Sequence, residues 1–441
     1  MGSSCAEGTP SSLSRQHVDR RLFRLALPAL GTLAVEPLYV ATDTAIIGRV
    51  GAEELAGLAA AGTILAVIVA GTNFLAYGTT ERIASARGAQ NVARSGAFAQ
   101  HAILLGLGLG LLACVALVYS ASSIISLLGA GPETTSHGIR YLTIAAFGLP
   151  AVIVMVAAQG VLRGHADYRR PFVVLMVSNI INAAIEIPLV FLAGLSITGS
   201  AVSTVIAQYL GAIWLVMIAR PHLQVGRRFS VQSAVARDLL RVGGHLGVRV
   251  FSMLAIATAS TVLAARSGDA VLAAHQIVNG VFVLLVLCLD AISIPAHTLL
   301  GESRGLGHLE LQRRVSSRVY FWSGVLGVAF AIIIFASAQA LPTLFTADQS
   351  VKLAATDGLR LLSIALIPGA IAFAGDGILI GLSDSRFLGL AAFAHTAIMA
   401  LALFSESIRT GPGLSTIWAL LTLWMIIRAF TVTVRSRVLL R

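Results

Sequence analysis

The stretch GAFAQHAILLGLGLGLLACVALV, residues 96–118, runs for 23 residues without a single Asp, Glu, Lys or Arg. About 20 apolar residues are enough for one helix to cross the hydrocarbon core of a bilayer. The rest of the chain is similar: 57% of its 441 residues are hydrophobic, 12% are charged, and the mean hydropathy is +0.87. An ordinary soluble domain carries about 25% charged residues. The composition therefore predicts an all-α membrane protein and excludes soluble, disordered and disulfide-stapled classes.

Further apolar stretches, bounded by Gly, Pro or charged residues, follow one another along the whole chain. Together they predict about twelve transmembrane helices, with limits near 22–48, 55–80, 96–118, 139–162, 171–193, 199–219, 238–264, 271–300, 315–338, 358–382, 386–405 and 414–436. Several of these stretches exceed the ~20 residues that a crossing requires, which indicates tilted or kinked helices.

The net charge of +11 comes almost entirely from arginine, because Lys352 is the only lysine. The arginines fall in alternate loops: Arg82, Arg87, Arg94, Arg169, Arg170, Arg220, Arg227, Arg228, Arg237, Arg241, Arg304, Arg313 and Arg314. The opposite loops carry acids: Glu53, Glu54, Glu133, Asp269, Asp348 and Glu406. The positive-inside rule then places both termini in the cytoplasm and predicts a multi-pass protein of the cell inner membrane. The positive charge lies in the loops between apolar spans and is explained by membrane orientation. We therefore expect a lipid bilayer around the chain and no nucleic acid partner.

A shift of the chain by 217 positions aligns its two halves without gaps. Arg24 then falls on Arg241, Thr44 on Thr261, and Gly51 on Gly268. The same shift superimposes Gly160, Gly164, Asp167 and Arg169 on Gly377, Gly381, Asp384 and Arg386. An even number of spans in each copy predicts two parallel six-helix lobes with pseudo-two-fold symmetry, the usual arrangement for alternating access. The predicted parts are a cytoplasmic tail (1–20), an N-lobe (21–219), a cytoplasmic linker (220–237) and a C-lobe with a short cytoplasmic tail (238–441).

Charged groups inside predicted spans need a reason, because a charge at the bilayer centre costs about 2.5–3.5 kcal/mol on insertion scales. In the first span, Glu36 and Asp43 are seven residues apart, which puts both on one helix face, and Pro37 predicts a kink or hinge between them. In the fifth span, Asn179, Asn182 and Glu186 share one face, with Pro188 as a second candidate hinge.

The second half offers two further candidates, Asp290 in the eighth span and Asp376 in the tenth. Buried carboxylates take up a proton more readily than exposed ones, and they share a sodium ion with amide oxygens. We therefore interpret the five polar residues of spans one and five as a proton or cation coupling site, with Asp290 and Asp376 as secondary candidates. The alternative is a structural pairing with arginine or a backbone amide, but spans one and five contain no arginine at matching depth.

The chain resembles the multidrug and toxic compound extrusion (MATE) family, specifically its DinF-like branch, and the resemblance covers nearly everything after Arg20. The segments that carry it are EPLYVATDTAIIGRVG (36–51), QGVLRGHADYRRP (159–171), NIINAAIEIPLVF (179–191), LAAHQI (272–277), LDAISIPAHTLLG (289–301) and DGILIGLSDSRF (376–387). It implies the two-lobed MATE/MOP-type fold and efflux of organic, often cationic, compounds in exchange for protons or sodium.

The resemblance also assigns residues. The family's aspartate in the first span matches Asp43, and its Asn-x-x-x-Asp in the fifth span matches Asn182 and Glu186, where glutamate replaces aspartate. A sodium ion would be held by Asp43, Asn182 and Glu186. The NorM-like branch relies on an acid in the seventh span, and none lies between Phe251 and Ala264. We therefore do not expect the mechanism of the NorM-like branch in this chain.

We predict a secondary antiporter, not an enzyme, that exports amphipathic or cationic small molecules as a monomer, with H⁺ or Na⁺ as the coupling ion and no cofactor or fixed metal. No nucleotide-hydrolysis, zinc-protease or serine-hydrolase motif appears in the sequence. The alternatives are a dedicated metabolite exporter or a flippase for lipid-linked precursors. A flippase needs a cationic cavity, and we expect few arginines inside the membrane. A membrane-embedded lipid enzyme would need a catalytic cluster, which the sequence does not show.

Overall fold

Apolar periodicity dominates the chain, and the regular structure of its described residues is helical. The computed structural model describes residues 14–127, 129, 131–223, 232–408 and 413–441, without the side chains of 406–408. The α-helices are α1 (Arg15–Ile47), α2 (Ala52–Thr72), α3 (Phe74–Gly88), α4 (Val92–Leu127), α5 (Pro132–Ala146), α6 (Leu149–Gly164), α7 (Arg169–Ile187), α8 (Ser196–Ala219), α9 (Ser233–Arg266), α10 (Asp269–Gly305), α11 (Leu309–Ser337), α12 (Gln349–Gly381), α13 (Ser385–Ile408) and α14 (Leu414–Leu439).

Eleven segments in this part of the chain are long and apolar enough to cross a membrane, and the bent pair α5 and α6 makes up to twelve. The prediction of an all-α protein with about twelve spans is therefore confirmed. Two predicted spans are each built from two helices. The stretch 55–80 breaks at Asn73, between α2 and α3. The stretch 139–162 bends by 52° between α5 and α6, where Pro150 stands in the first turn of α6.

The helices form two compact units. The N-terminal unit is Leu27–Gly243, and the C-terminal unit is Gly244–Arg441 together with the described part of Met1–Ala26. These limits differ from the predicted lobes, 21–219 and 238–441. The start of α1 joins the C-terminal unit because Asp19 accepts hydrogen bonds from Arg318 (2.6 Å) and Trp322 (2.9 Å). The start of α9 joins the N-terminal unit, where Arg82 donates to Asp238 (2.7 Å). Residues 1–13 of the predicted tail and 224–231 of the predicted linker lie outside the described residues.

The two units repeat one close helix crossing. In the N-terminal unit, Gly160 and Gly164 let α6 approach α3: a Cβ on Gly160 would lie 2.8 Å from the carbonyl oxygen of Ala76. In the C-terminal unit, Gly377 and Gly381 let α12 approach α10: a Cβ on Gly377 would lie 2.5 Å from the carbonyl oxygen of Ser293. Ala76 and Ser293 are themselves separated by 217 positions. Residues related by the sequence repeat therefore make the same helix–helix contact in each unit.

The turns after these crossings repeat as well. Ala166 and Ser383, again 217 positions apart, both have positive φ angles, 60° and 64°. Beside them, the equivalent residues Arg87 and Arg304 donate to the Gly164 carbonyl (2.9 Å) and the Ser383 hydroxyl (2.7 Å). Arg87 thus ties the end of α3 to the last residue of α6, and Arg304 ties the end of α10 to the turn after α12, so both halves place an arginine at equivalent positions.

Candidate functional site

Asp43 lies near the carboxyl end of α1 and is buried within the N-terminal unit, with 3% of its surface exposed. Asn182 and Glu186 are four residues apart on α7, so they share one face of that helix. The side-chain nitrogen of Asn182 donates both to Asp43 Oδ1 (3.1 Å) and to Glu186 Oε2 (3.2 Å). One amide therefore bridges two buried carboxylates on two helices.

The bridge leaves buried acceptors without a donor. In the described part of the chain, Asn182 Oδ1 and Glu186 Oε1 have no hydrogen-bond partner, and no Arg, Lys or His forms an ion pair with Asp43 or Glu186. A buried polar group without a partner costs free energy, and two unpaired negative charges cost more. The arrangement is suited to hold one proton or one monovalent cation between the carboxylates.

Three hydroxyl groups surround this bridge, and the sequence analysis missed them. Tyr39 lies one turn before Asp43 on α1, close enough to hydrogen bond with its carboxylate, and its hydroxyl pairs with Thr204 on α8 (2.7 Å). Tyr141 on α5 lies close to Thr204 and Tyr39. The spacing of four residues between Tyr39 and Asp43 was a usable sequence signal. Tyr141 and Thr204 lie on other helices, so only the folded structure brings them next to Asp43.

Asn179 and Glu36 are not part of the bridge. Asn179 donates to the backbone carbonyl of Val35 (3.0 Å) and so fixes α7 against α1. Glu36 is exposed and makes no hydrogen bond within the described residues. Glu36 and Asp43 do share a helix face, but seven residues separate them by about 10 Å along the axis. Glu36 therefore lies outside the amide bridge in this structure, and its part in coupling stays a prediction.

The two candidate hinge prolines differ in their surroundings. Pro37 lies inside α1, which continues through it to Ile47. Pro188 follows the last residue of α7 and begins a π-helical turn, Pro188–Leu192. Proline removes a backbone donor in both places and weakens the helical ladder. Their role as hinges stays a prediction.

In the C-terminal unit, Asp376 on α12 is enclosed by two arginines that the sequence analysis did not consider. Its Oδ2 accepts from Arg249 on α9 (2.5 Å) and from Arg428 on α14 (2.8 Å). Asp290 on α10 is half buried and interacts electrostatically with all three. The expectation of few arginines inside the membrane therefore fails here. Each arginine interrupts an apolar stretch, at 238–264 and 414–436, which was the available signal.

One group of side chains has the spacing of a metal site. Single ligand atoms of Glu53, Glu133 and His137 lie within 4.8 Å of one another. The two glutamates occupy the first turns of α2 and α5, where the helix dipole favours acids in any case. Their position is explained without a metal ion.

The comparisons with known proteins agree on one family. The family model described as MatE matches residues 28–187 and 246–403. Among curated relatives, Protein DETOXIFICATION 44, chloroplastic, of Arabidopsis thaliana is 28% identical over 93% of this chain and 81% of its own. The DNA damage-inducible protein F of Escherichia coli K12 is 24% identical over 94% of this chain and 91% of its own.

Solved structures show the same fold at lower identity. A MATE transporter crystallised in a bent conformation has a TM-score of 0.90 at 19% identity, with 98% of each chain covered. A MOP superfamily transporter from Pyrococcus furiosus, described as having a binding pocket of reverse polarity, has a TM-score of 0.88 at 19% identity, with 98% of this chain and 99% of the other covered.

Proposed function

Because this chain belongs to the MatE family, the multidrug and toxic compound extrusion transporters, we propose that it exports small organic molecules in exchange for protons bound at Asp43, Asn182 and Glu186. The family supports an efflux transporter in a membrane, and the similarity to the DNA damage-inducible protein F supports its DinF-like branch. The choice of ion and the class of substrate, amphipathic or cationic, are our proposal. So are the inner membrane, the cytoplasmic termini and a monomeric state.

The observation that carries the proposal is the amide bridge between two carboxylates that form no ion pair with any basic side chain of the described residues. A proton on one carboxyl removes one of two facing charges and supplies an O–H donor to a site short of donors. Its release restores the charged pair, which favours a hydrated pocket. The bridge joins α1 to α7, so protonation changes how those helices pack. Alternating access between the two halves then converts proton uptake into substrate release.

Sodium is the alternative coupling ion, because the oxygen atoms of the same three side chains are also suitable ligands for it. Oxygen ligands are what hard cations prefer. The free oxygens of Asn182 and Glu186, together with Asp43, supply such ligands. Proteoliposomes with either a pH gradient or a sodium gradient, imposed one at a time, separate the two ions: export driven by the sodium gradient alone contradicts proton coupling.

The test of the site is Asp43→Asn in the same proteoliposomes. This change removes the titrating group with little change in volume, so gradient-driven export should fall to the level of empty liposomes while the amount of inserted protein is unchanged. Glu36→Gln is the matched control, because it neutralises an exposed acid of the same helix outside the bridge. It should retain export. Normal export by Asp43→Asn would exclude Asp43 as the coupling residue.

A further inference from the structure

Helices α8 and α14 each present one exposed apolar stripe that ends at an exposed arginine. The shift of 217 positions superimposes the two stripes residue by residue: Ile206, Tyr209, Ile213 and Met217 on α8, and Leu423, Ile426, Phe430 and Val434 on α14. Their spacing of three or four residues puts each set on one helix face. Three residues further along the same face, the stripes are followed by Arg220 and Arg437.

Helices α7 and α13 show the same pattern in the opposite direction, because here the arginine comes first. Arg169 is the first residue of α7, and Arg386, which the same shift superimposes on it, is the second residue of α13. Both are exposed, and each is followed on its helix face by exposed apolar residues: Val173, Met176 and Ile180 on α7, and Leu390, Phe393 and Ala397 on α13. Exposed apolar side chains of a membrane span are suited to contact acyl chains.

Contacts within each unit bring the two arginines to the same place. The ring of His165, just before α7, stacks on the ring of His222, just after α8, with centroids 3.8 Å apart. In the C-terminal unit, Arg435 near the end of α14 donates to Asp384 (2.6 Å), the residue before α13. The start of one helix therefore lies beside the end of the next, and we call these places the α7–α8 corner and the α13–α14 corner.

Each corner holds more arginine than its aspartate can pair. Asp167 forms an ion pair with Arg170 (3.4 Å), and Asp384 forms one with Arg435. Within the described part of the chain, no ion pair or hydrogen bond is formed by the side chains of the other four arginines, Arg169, Arg220, Arg386 and Arg437. Two guanidinium groups in each corner are therefore available to an acceptor from outside the chain.

The chemistry of that acceptor follows from the charge and the stripes together. The positive-inside rule accounts for arginine at this end of the helices, but it concerns the number of charges and not their place beside an apolar stripe. A phosphate group accepts hydrogen bonds from two guanidinium groups, and acyl chains match the stripes. Free phosphate would leave the stripes unused, and the cationic part of a zwitterionic headgroup would be repelled by the excess of arginine.

We propose that each corner binds one anionic phospholipid, with its phosphate between Arg169 and Arg220 or between Arg386 and Arg437 and its acyl chains along the adjoining stripes. The two sites are related by the sequence repeat, one in each unit. The inference goes beyond the proposed transport, since it involves neither the amide bridge nor an ion gradient.

The test counts the lipids that stay bound to the purified full-length protein. The protein in detergent is equilibrated with phosphatidylglycerol or with phosphatidylcholine of the same acyl chains, and mass spectrometry of the intact complexes gives the number retained. We expect two molecules of phosphatidylglycerol at saturation, retained at concentrations about tenfold lower than phosphatidylcholine, since basic residues at the membrane surface attract anionic lipid. Equal retention of the two lipids overturns the proposal.

Paired variants separate the two corners. Arg169→Gln with Arg220→Gln should leave one retained phosphatidylglycerol, and so should Arg386→Gln with Arg437→Gln. These changes break no described side-chain contact, so the fold should be unaffected. The matched control is Arg49→Gln with Arg266→Gln: these exposed arginines are also superimposed by the shift, but they lie after α1 and at the end of α9, beside the acidic loops of the opposite side. The control should retain both lipids.

Two further results would contradict the proposal. One is an equal loss of phosphatidylglycerol in the control and in the corner variants, which would mean that only overall charge matters. The other is displacement of the lipid by excess inorganic phosphate but not by sodium chloride of the same ionic strength, which would mean that the arginines bind phosphate without acyl chains. None of these measurements uses a gradient, so a failure here is distinguishable from a failure of the coupling site.

Discussion

At the scale of residues, burial separates the acids into three kinds. Asp43 and Glu186 are buried with no basic partner in the described chain, Asp376 is buried between two arginines, and Glu36 is exposed. A carboxylate held by two guanidinium groups stays ionised, whereas two facing buried carboxylates without a basic partner are costly to keep charged together. The unpaired carboxylates of the N-terminal unit therefore support the proposed proton site.

Glu186→Gln tests whether the two carboxylates act as a pair. Removing one of two facing negative charges favours the ionised form of the other, so the pH midpoint of transport should shift to lower pH by about one unit or more. The measurement is export by proteoliposomes over a range of internal pH, normalised to the amount of protein. A loss of protein with an unshifted pH profile would indicate a structural role for Glu186.

A second titrating group lies outside the spans. Burial lowers the pKa of His165 from 6.5 to about 4, and its ring stacks on His222 with centroids 3.8 Å apart. Below pH 6.5 the unfolded chain takes up a proton that the folded protein excludes, so this group's contribution to stability is present at neutral pH and is lost between about pH 6.5 and 4. His165→Gln should flatten the fall of Tm over this range, whereas His17→Gln, at an exposed position, should not. Parallel profiles for His165→Gln and wild type would contradict this account.

At the scale of elements, glycines at equal positions set how closely helices approach. The pairs at 160 and 164 and at 377 and 381 each lie against the backbone of a second helix, and each is followed by a turn with positive φ. Small residues at such crossings take the place of the hydrophobic driving force that helices lack in lipid. The second crossing positions α12, which carries Asp376.

Gly377→Ala should lower the free energy of unfolding by about 1–3 kcal/mol, since the new Cβ would lie 2.5 Å from a backbone carbonyl oxygen that has little freedom to move. Gly108→Ala is the control: it lies within α4, and nothing is found within 4 Å of its Cβ position. That change should be neutral or slightly stabilising. Unfolding in detergent by heat or denaturant measures both. Equal stability of the two variants would mean that the close crossing relaxes freely.

At the scale of the whole molecule, the sequence predicted the number of spans and the repeat, because apolar length and matches at one fixed offset can be read directly from the chain. It grouped Asp43 with Asn182 and Glu186 because they are polar residues inside spans and match the family's residues. It did not predict the two arginines on Asp376. Arg249 and Arg428 stand 127 and 52 residues from Asp376, and their meeting depends on how α9, α12 and α14 pack. Tyr141 and Thr204 were missed for the same reason. Glu36 shares a helix face with Asp43 but not its depth of burial, a difference that sequence spacing alone does not reveal.

The division of α1 between the two units has a consequence for the order of synthesis. Asp19 leaves the ribosome early, yet its partners Arg318 and Trp322 are made about 300 residues later. The first turns of α1 must therefore remain without these partners while nine further helices, α2 to α10, and the start of α11 are translated. The C-terminal unit thus includes a segment that is made before the N-terminal unit. A nascent chain halted before Arg318 should still contain a complete N-terminal unit, but with the leading end of its first helix exposed to proteases.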